Sequence, residues 1–397
     1  MASFNPDEAT YRCPRCGGNL DVRIDFSRAA RADLETSRDG SLFRYARLLP
    51  VEVPGEGDGP LRSVGGTPLY DAPRIARRLG LRRVWIKDEG RMPTGSLKDR
   101  ASAIVVQRAR AIGAPRILTA STGNAGVALA AMARCAELEA IVLVPENAPK
   151  AKLAQLAVFG ARVIRVRGSY DDAFALSESA AAAFGWYCRN TGQNPFTVEG
   201  KKTVSFEIAE QLSFRAPDRV VVSVGDGNIL VGVHKGFREL LALGWIDRMP
   251  KILGVQASGS SPIAQAWARG DDVIHEVQTN TLADSIAAGR PADGERALRA
   301  VRATGGAFII VEDAEILAAI PALGDGIAVF AEPAASAAYA GLQKAREQGI
   351  VDAAEEVVVL VTGSGLKDVG AAERAVARTS PVIAPSLDEL RDALGHD

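Results

Sequence analysis

Cysteine and histidine are scarce, four and three among 397 residues. So few cysteines in so long a chain exclude a disulfide framework. Neither sign of charge prevails: 47 basic against 48 acidic residues leave a net charge of −1, and no long block of one sign is present to coat nucleic acid or a membrane surface. No run of about 18 apolar residues lacks charges, Gly or Pro, so no transmembrane helix is expected. Met1 to Glu8 carries neither a basic start nor an apolar run, so no secretory signal is expected and a cytoplasmic location is the default. No repeat of solenoid length is visible. Aromatics make up only 6%, while hydrophobic residues reach 47% and charged residues 24%, the balance of a soluble α/β enzyme long enough for two folding units.

The N-terminal stretch to about Pro60 differs in texture. It holds Cys13-Pro-Arg-Cys16-Gly17-Gly18, half of a zinc knuckle, and then Leu20-Asp-Val22-Arg-Ile24, which alternates like a short strand. A structural zinc needs four ligands, and no second cysteine pair follows; His234, His275 and His396 are not spaced as partners. No metal is expected. Cys135 and Cys188 read as buried small hydrophobes. Pro54 to Pro60, rich in Gly, Pro and acid, reads as a linker.

From Val84 onward strand and helix patterns alternate. Strands are expected at Val84–Asp88, Arg116–Leu118, Ala140–Val144 and Ala161–Val166, with helices at Asp99–Ile112, Ala125–Cys135, Ala148–Phe159 and Tyr170–Phe184 between and after them. A second series runs through the strand Arg219–Val222, the helix Leu230–Leu243, the strand Lys251–Val255 and a last strand, Glu356–Val361. Strands separated by helices of this length call for parallel sheets covered on both faces, so two α/β units are expected with a cleft where strand ends converge. Leu387 to Leu394 reads as a peripheral helix, expected to pack against a partner or on its own core.

Four loops carry chemistry. Lys98 lies in Pro93-Thr94-Gly95-Ser96-Leu97-Lys98-Asp99-Arg100, and a lysine held in a small-residue turn can form a Schiff base with an aldehyde cofactor. Thr119-Ala-Ser121-Thr122-Gly123-Asn124-Ala-Gly126 offers amides and hydroxyls to an amino-acid carboxylate. Ser223-Val-Gly225-Asp226-Gly227-Asn228-Ile229 turns from a buried strand into a helix, where free backbone N–H groups attract a phosphate. Asp226 opposes an anion there unless it points away or caps the helix. In Val361-Thr362-Gly363-Ser364-Gly365-Leu366-Lys367-Asp368 a hydroxyl is available to a pyridine nitrogen; such a partner leaves that nitrogen largely unprotonated and suits elimination and replacement. Together these loops point to pyridoxal 5'-phosphate.

These four loops, with Glu332-Pro333-Ala334-Ala335, Phe43-Arg44-Tyr45-Ala-Arg-Leu48-Leu49-Pro50 and Gly66-Thr67-Pro68-Leu69, resemble the threonine synthase family of fold-type-II pyridoxal phosphate enzymes. The resemblance covers almost the whole chain. It implies two doubly wound parallel-sheet domains with the cofactor between them: a large cofactor-binding unit of residues 61–100 and 205–397, a small substrate-carboxylate unit of 101–204, and an N-terminal extension of 1–60. It also implies Lys98 as the Schiff-base lysine, Asn124 beside the cofactor's phenolic oxygen, Gly225, Asp226, Gly227, Asn228 and Ile229 around its phosphate, and Thr362 at the pyridine nitrogen. Ser121, Thr122 and Gly123 would hold the substrate carboxylate. A homodimer is implied as well.

The departures from the family pattern fall on the substrate side. Asn194-Pro195-Phe196-Thr197-Val198-Glu199-Gly200-Lys201-Lys202 places Thr197 where the family has an arginine for the substrate phosphate, and Lys201 where it has glutamine. A hydroxyl does not replace a bidentate guanidinium contact. A loop carboxylate of the family is also missing from Ser63-Val64-Gly65-Gly66. The expected activity is therefore conversion of O-phosphohomoserine and water to threonine and phosphate, with elimination or replacement on serine, threonine or an activated relative as the alternative, which Thr279-Asn-Thr281-Leu282-Ala283-Asp284-Ser285-Ile286 supports. A binding protein on the same scaffold is a third reading.

Overall fold

The computed structural model describes residues 3–8, 11–27, 29–148, 150–376 and 380–395; His396 lies outside them. Among the described residues, ten strands form two sheets: β1 Leu69–Asp71, β2 Arg83–Asp88, β3 Arg116–Ala120, β4 Glu139–Pro145, β5 Arg162–Val166, β6 Tyr187–Cys188, β7 Arg219–Ser223, β8 Lys251–Ala257, β9 Ala307–Val311 and β10 Glu356–Val361. The larger sheet has the order β1-β2-β10-β7-β8-β9 and the smaller β5-β4-β3-β6. Every pairing is parallel except β1 with β2. The chain thus forms two α/β sheets of the doubly wound kind.

Strand order dictates where ligands can bind. In the larger sheet the chain builds outward from β7 through β8 to β9, then returns to place β10 on the other side of β7. In the smaller sheet β3, β4 and β5 build outward and β6 returns beside β3. At each reversal the two loops leaving the strand ends diverge and open a crevice. The loops there are Gly225–Asn228 and Thr362–Gly365 in one sheet, and Ser121–Asn124 and the segment after Cys188 in the other. All of the sequence-derived loops except that of Lys98 fall at these two points.

The central strands are buried on both faces and read as unbroken Val runs. Val357, Val359 and Val361 of β10 pack into one core with Ile86 and Val255, while Val358 and Leu360 face a second core with Phe206, Leu230 and Phe237. The smaller sheet packs Ile117, Leu129 and Met132 with Leu42, Phe43, Leu61 and Val64, so the N-terminal residues complete its core.

The helix Phe196–Gln211, for which the sequence pattern gave no expectation, is buried at every position from Phe196 to Ala209. It packs against the helices Lys98–Ala111 and Asn228–Ala242. Most of its charges are answered inside the protein. Glu207 binds Arg100 at 2.6 Å and Lys87 at 2.7 Å, and Lys202 binds Glu199 at 2.7 Å and Glu239 at 2.8 Å.

Two local expectations are corrected. Leu20 to Ile24 forms no strand; only the isolated bridge Arg12 to Asn19 precedes it, too short a pairing to propagate. The helix Leu387–Leu394 forms, but none of its residues is buried, so it does not pack on the core, one of its two expected placements.

Candidate functional site

Lys98 opens the helix Lys98–Ala111 from a turn held by the larger sheet. Leu97 N donates to Thr362 O at 2.9 Å, Ser364 N donates to Gly95 O at 2.9 Å, and Ser96 forms a bridge with Gly363. The lysine turn is therefore a short antiparallel partner of the loop after β10. Asp99 clamps it from the other side, accepting from Thr94 N at 2.7 Å and Thr94 Oγ1 at 2.5 Å; burial pushes this carboxyl up to about 6. Two residues on, Arg100 is fully buried between Glu89 and Glu207, each at 2.6 Å, which fixes the first helical turn.

The Lys98 amine is held below its ordinary value, first by burial; Glu332 and Asp226 oppose that shift, and Arg189 reinforces it. A buried amine that loses its proton readily is the state a nucleophilic lysine requires. Among the described residues no carboxylate lies within ion-pair distance of it.

Asn124 begins the helix Asn124–Cys135 and donates through Nδ2 to both carboxylate oxygens of Glu332, at 2.9 and 3.1 Å. This contact joins the smaller sheet to the larger across the cleft. Burial pushes Glu332 up to about 7, while Asn124 and Lys98 pull it down. The sequence contained Glu332 in its Glu-Pro-Ala-Ala segment without assigning it a role; nothing local to that segment identifies Asn124 as its partner. Ser121, Thr122 and Gly123 precede Asn124 directly, and Ser121 Oγ accepts from Gly123 N at 3.2 Å, which shapes the loop.

Gly225, Asp226, Gly227, Asn228 and Ile229 link β7 to the helix Asn228–Ala242. Gly227 has φ +87°, and a Cβ on Gly225 would lie 2.9 Å from Ile286, so only glycine fits both positions. No side chain caps this helix start. Asp226 does not act as the cap considered for it: Gly227 holds that position, and the Asp226 carboxylate accepts instead from Ala292 N at 3.4 Å. An uncapped helix N-terminus behind two glycines is an anion cradle. Ser223 Oγ at the end of β7 and Ser96 Oγ beside Lys98 are buried without a partner, as polar groups facing a ligand would be. Thr362 is buried at the end of β10. A lysine with a low-lying proton, an anion cradle and unpartnered hydroxyls fit pyridoxal phosphate.

Thr197 is buried and its Oγ1 donates to Asn194 O at 2.7 Å; it also lies 3.4 Å from Asn228 Oδ1. Lys201, one helical turn on, reaches the same oxygen. Asn228 Nδ2 donates to Asp293 Oδ2 at 2.5 Å, which aims Oδ1 back at these two side chains. Arg189, from the segment after β6, is buried and lowers the proton affinity of both Lys98 and Lys201. The sequence reading did not include Arg189. Its approach to the lysines depends on the return of β6 beside β3.

Comparison with known proteins gives the same answer. Residues 61–363 match the family described as pyridoxal-phosphate dependent enzyme. The threonine synthase of Methanosarcina acetivorans is 39% identical over 99% of this chain and 96% of its own, and that of Methanocaldococcus jannaschii is 39% identical over 94% and 92%. Among solved structures, diaminopropionate ammonia lyase from Escherichia coli superposes with a TM-score of 0.68 at 16% identity, covering 89% of this chain and 94% of that one. Threonine deaminase isoform 2 from Solanum lycopersicum gives 0.66 at 21% identity, covering 78% and 87%; at such identities these two show the fold. Since the similarity to threonine synthases spans the chain nearly end to end, and the residues at both sheet reversals fit the cofactor, the chain belongs to the pyridoxal-phosphate dependent enzymes and is a relative of the threonine synthases within them.

Proposed function

We propose that this enzyme converts O-phosphohomoserine and water to threonine and inorganic phosphate, with Lys98 as its catalytic residue. The observation that carries the reading is the gathering of Lys98, Asn124 and the Gly225 loop in one cleft, on a chain similar along nearly its whole length to threonine synthases. In this reading Lys98 holds the cofactor covalently, the amides of Gly225, Asp226, Gly227, Asn228 and Ile229 surround its phosphate, Asn124 meets its phenolic oxygen and Thr362 its ring nitrogen. Ser121, Thr122 and Gly123 take the substrate carboxylate, and Thr197 lines the far end of the pocket. Residues 61–100 and 205–397 form the cofactor unit and 101–204 the unit that carries the carboxylate loop, with 1–60 as an extension.

The bound cofactor supplies an electron sink for charge developing at the substrate's α-carbon. The protein supplies orientation and proton transfer. Lys98 Nζ takes the α-proton and then moves protons among the α-, β- and γ-carbons while phosphate leaves the γ-carbon and water adds at the β-carbon. Its depressed proton affinity makes the amine a readier base than an exposed lysine. Thr362, as a neutral partner of the ring nitrogen, would leave that nitrogen largely unprotonated, which would favour elimination over transamination. Glu332, with its proton affinity near neutrality, holds Asn124 in place from the opposite sheet.

Incubating the holoenzyme separately with O-phosphohomoserine and with threonine tests the reading. Equal amounts of threonine and phosphate from the first are expected. Formation of 2-oxobutanoate from threonine, with no phosphate released from O-phosphohomoserine, would assign the enzyme to ammonia-lyase chemistry instead. The reading includes a homodimer in the cytoplasm; light scattering at twice the chain mass is the expected result. Among the described residues, no helix is long and apolar enough to cross a membrane.

A further inference from the structure

Lys201 and Lys202 are consecutive, and the side chain of each is wholly buried, yet their surroundings differ in kind. Lys202 lies between two carboxylates, Glu199 at 2.7 Å and Glu239 at 2.8 Å. Lys201 has the neutral amide oxygen of Asn228, and among the described residues no carboxylate within ion-pair distance. A buried ammonium without a counter-ion is strongly unfavourable unless a ligand brings the missing charge. Its nearest charged neighbours aggravate the imbalance. Burial, then Lys98, then Arg189 push its proton affinity well below normal, against the pull of Asp226 and Asp293.

The position of this cationic pole says which anion it receives. Arg189 donates to Thr191 Oγ1 at 2.6 Å, and its neighbour Asn190 accepts from Ala120 N at 3.0 Å and Thr119 Oγ1 at 3.1 Å, immediately before Ser121. The pole is therefore continuous with the loop proposed to hold the substrate carboxylate. The cradle of the Gly225 loop is made of backbone amides at a helix start and requires no lysine. Lys201 approaches that loop only through the outward side chain of Asn228, whose orientation Asp293 sets and which Asn19 helps to hold through its own 2.8 Å bond to Asp293.

We infer that Lys201, with Arg189, receives the phosphate monoester at the far end of the substrate, and that Lys201 supplies one turn later on the helix the positive charge that Thr197 does not. This inference rests on the function proposed above. It makes Lys201 a specificity-determining residue: the phosphate group is bound by an ammonium and a guanidinium, beside the neutral side chains of Asn228 and Thr197. The two phosphates that meet in this cleft, cofactor and substrate, are separated by it into an amide-bound and a cation-bound site.

The test compares the holoenzyme with Lys201→Gln and Lys201→Arg by three measurements: KM and kcat for O-phosphohomoserine, the dissociation constant of inorganic phosphate from visible absorbance of the bound cofactor, and cofactor affinity of the apoprotein. Lys201→Gln is expected to raise KM and the phosphate constant at least tenfold and leave cofactor affinity within twofold; Lys201→Arg is expected to recover most of the loss. A tenfold loss of cofactor affinity with unchanged phosphate binding would assign Lys201 to the cofactor and overturn the inference. So would unchanged values in all three. If Lys201→Gln fails to fold, Lys201→Arg and direct phosphate binding to the wild type decide alone: no phosphate binding by the wild-type holoenzyme overturns the inference. Should the wild type fail to act on O-phosphohomoserine, the proposed reaction falls, and the phosphate arm still reads the pole.

Discussion

Two buried charge clusters begin two residues apart, and they are built to opposite rules. Around Arg100, Glu89 and Glu207 and the ammonium of Lys87 are all within 2.7 Å of a partner of opposite sign, and no side chain there is more than 4% exposed. Around Lys98, Lys201 meets the neutral amide oxygen of Asn228, Arg189 donates to Thr191, and Asp226 is hydrogen-bonded to backbone instead of to a lysine. The first cluster is closed. It joins β2, the helix after Lys98 and the helix Phe196–Gln211 into one body. The second has a surplus of positive charge, which is the condition of a site awaiting anions. Stability and function are therefore separated along the chain by a single intervening residue, Asp99.

Exchanging single members of each cluster breaks that contrast in opposite ways. Lys98→Ala is expected to lower kcat by roughly three orders of magnitude or more, because covalent attachment and proton transfer are lost together. Its urea midpoint should match or exceed the wild-type apoprotein, since a half-buried amine with no carboxylate in ion-pair distance among the described residues has been removed. Arg100→Met is expected to do the reverse in its origin: a loss of about 3–5 kcal/mol in urea unfolding, because Glu89 and Glu207 remain buried without their partner. A Lys98→Ala apoprotein that unfolds as early as Arg100→Met would show that the first cluster and the second are one structural unit.

How far each cluster was legible in the sequence follows from the distance over which it is assembled. Lys98, Asn124 and the glycines of the Gly225 loop belong to short strand-to-helix turns, where composition and spacing act locally. The strand Glu356–Val361 and the helix Tyr170–Phe184 likewise have the limits that their patterns imply. Glu332 is 208 residues from Asn124, and Arg189 reaches the lysines only because β6 returns beside β3; neither relation has a local signature. The helix Phe196–Gln211 escaped for another reason. It is surrounded by protein but carries Glu199, Lys201, Lys202 and Glu207, so it shows no apolar stripe. In the sequence Thr197 and Lys201 read only as departures on the substrate side, whereas most of the helix's charges are internal ion pairs. β9 and the helices Gly294–Ala303, Asp313–Ile327 and Pro333–Glu347 also had no counterpart in the sequence reading. Of these, the helix Gly294–Ala303 does carry a local signal, since Ala297, Leu298, Ala300 and Val301 form its buried face, whereas Pro333–Glu347 is buried on most sides and shows no single apolar stripe.

Glu332 sharpens the comparison from the site's own side. Burial raises it from 4.5 to about 7, so the folded apoprotein binds a proton that the unfolded chain has released between those values. Its contribution is fully present below pH 4.5 and is lost as pH rises through 7, to a total of up to about 3 kcal/mol. Glu332→Gln is expected to flatten that part of the stability profile of the apoprotein and to be the more stable protein at pH 8.5. A parallel pair of profiles would mean that Asn124 and Lys98 already hold the carboxylate charged at every pH.

His234 provides the smallest effect and the opposite sign. It lies on the helix Asn228–Ala242, away from Lys98, half-buried near Arg238 and Arg296. Burial first, and these two arginines next, lower it from 6.5 to about 4, against the pull of Asp21. The unfolded chain binds the additional proton in this window, so stability is complete above pH 6.5 and is lost as pH falls toward 4. Because the ring keeps some contact with solvent, the expected contribution is about 1–2 kcal/mol, less than the full shift would imply. His234→Asn should remove the loss of stability as pH falls from 6.5 toward 4 and leave the loss between pH 4.5 and 7 intact, whereas Glu332→Gln should do the converse. The double variant is then expected to lose both slopes additively, since the two groups share no partner. Coupling between them would require a link between the paired charges around Asp21 and Lys235 and the unbalanced ones around Lys98, and Asn228, which begins the helix carrying His234, is where that link would be found.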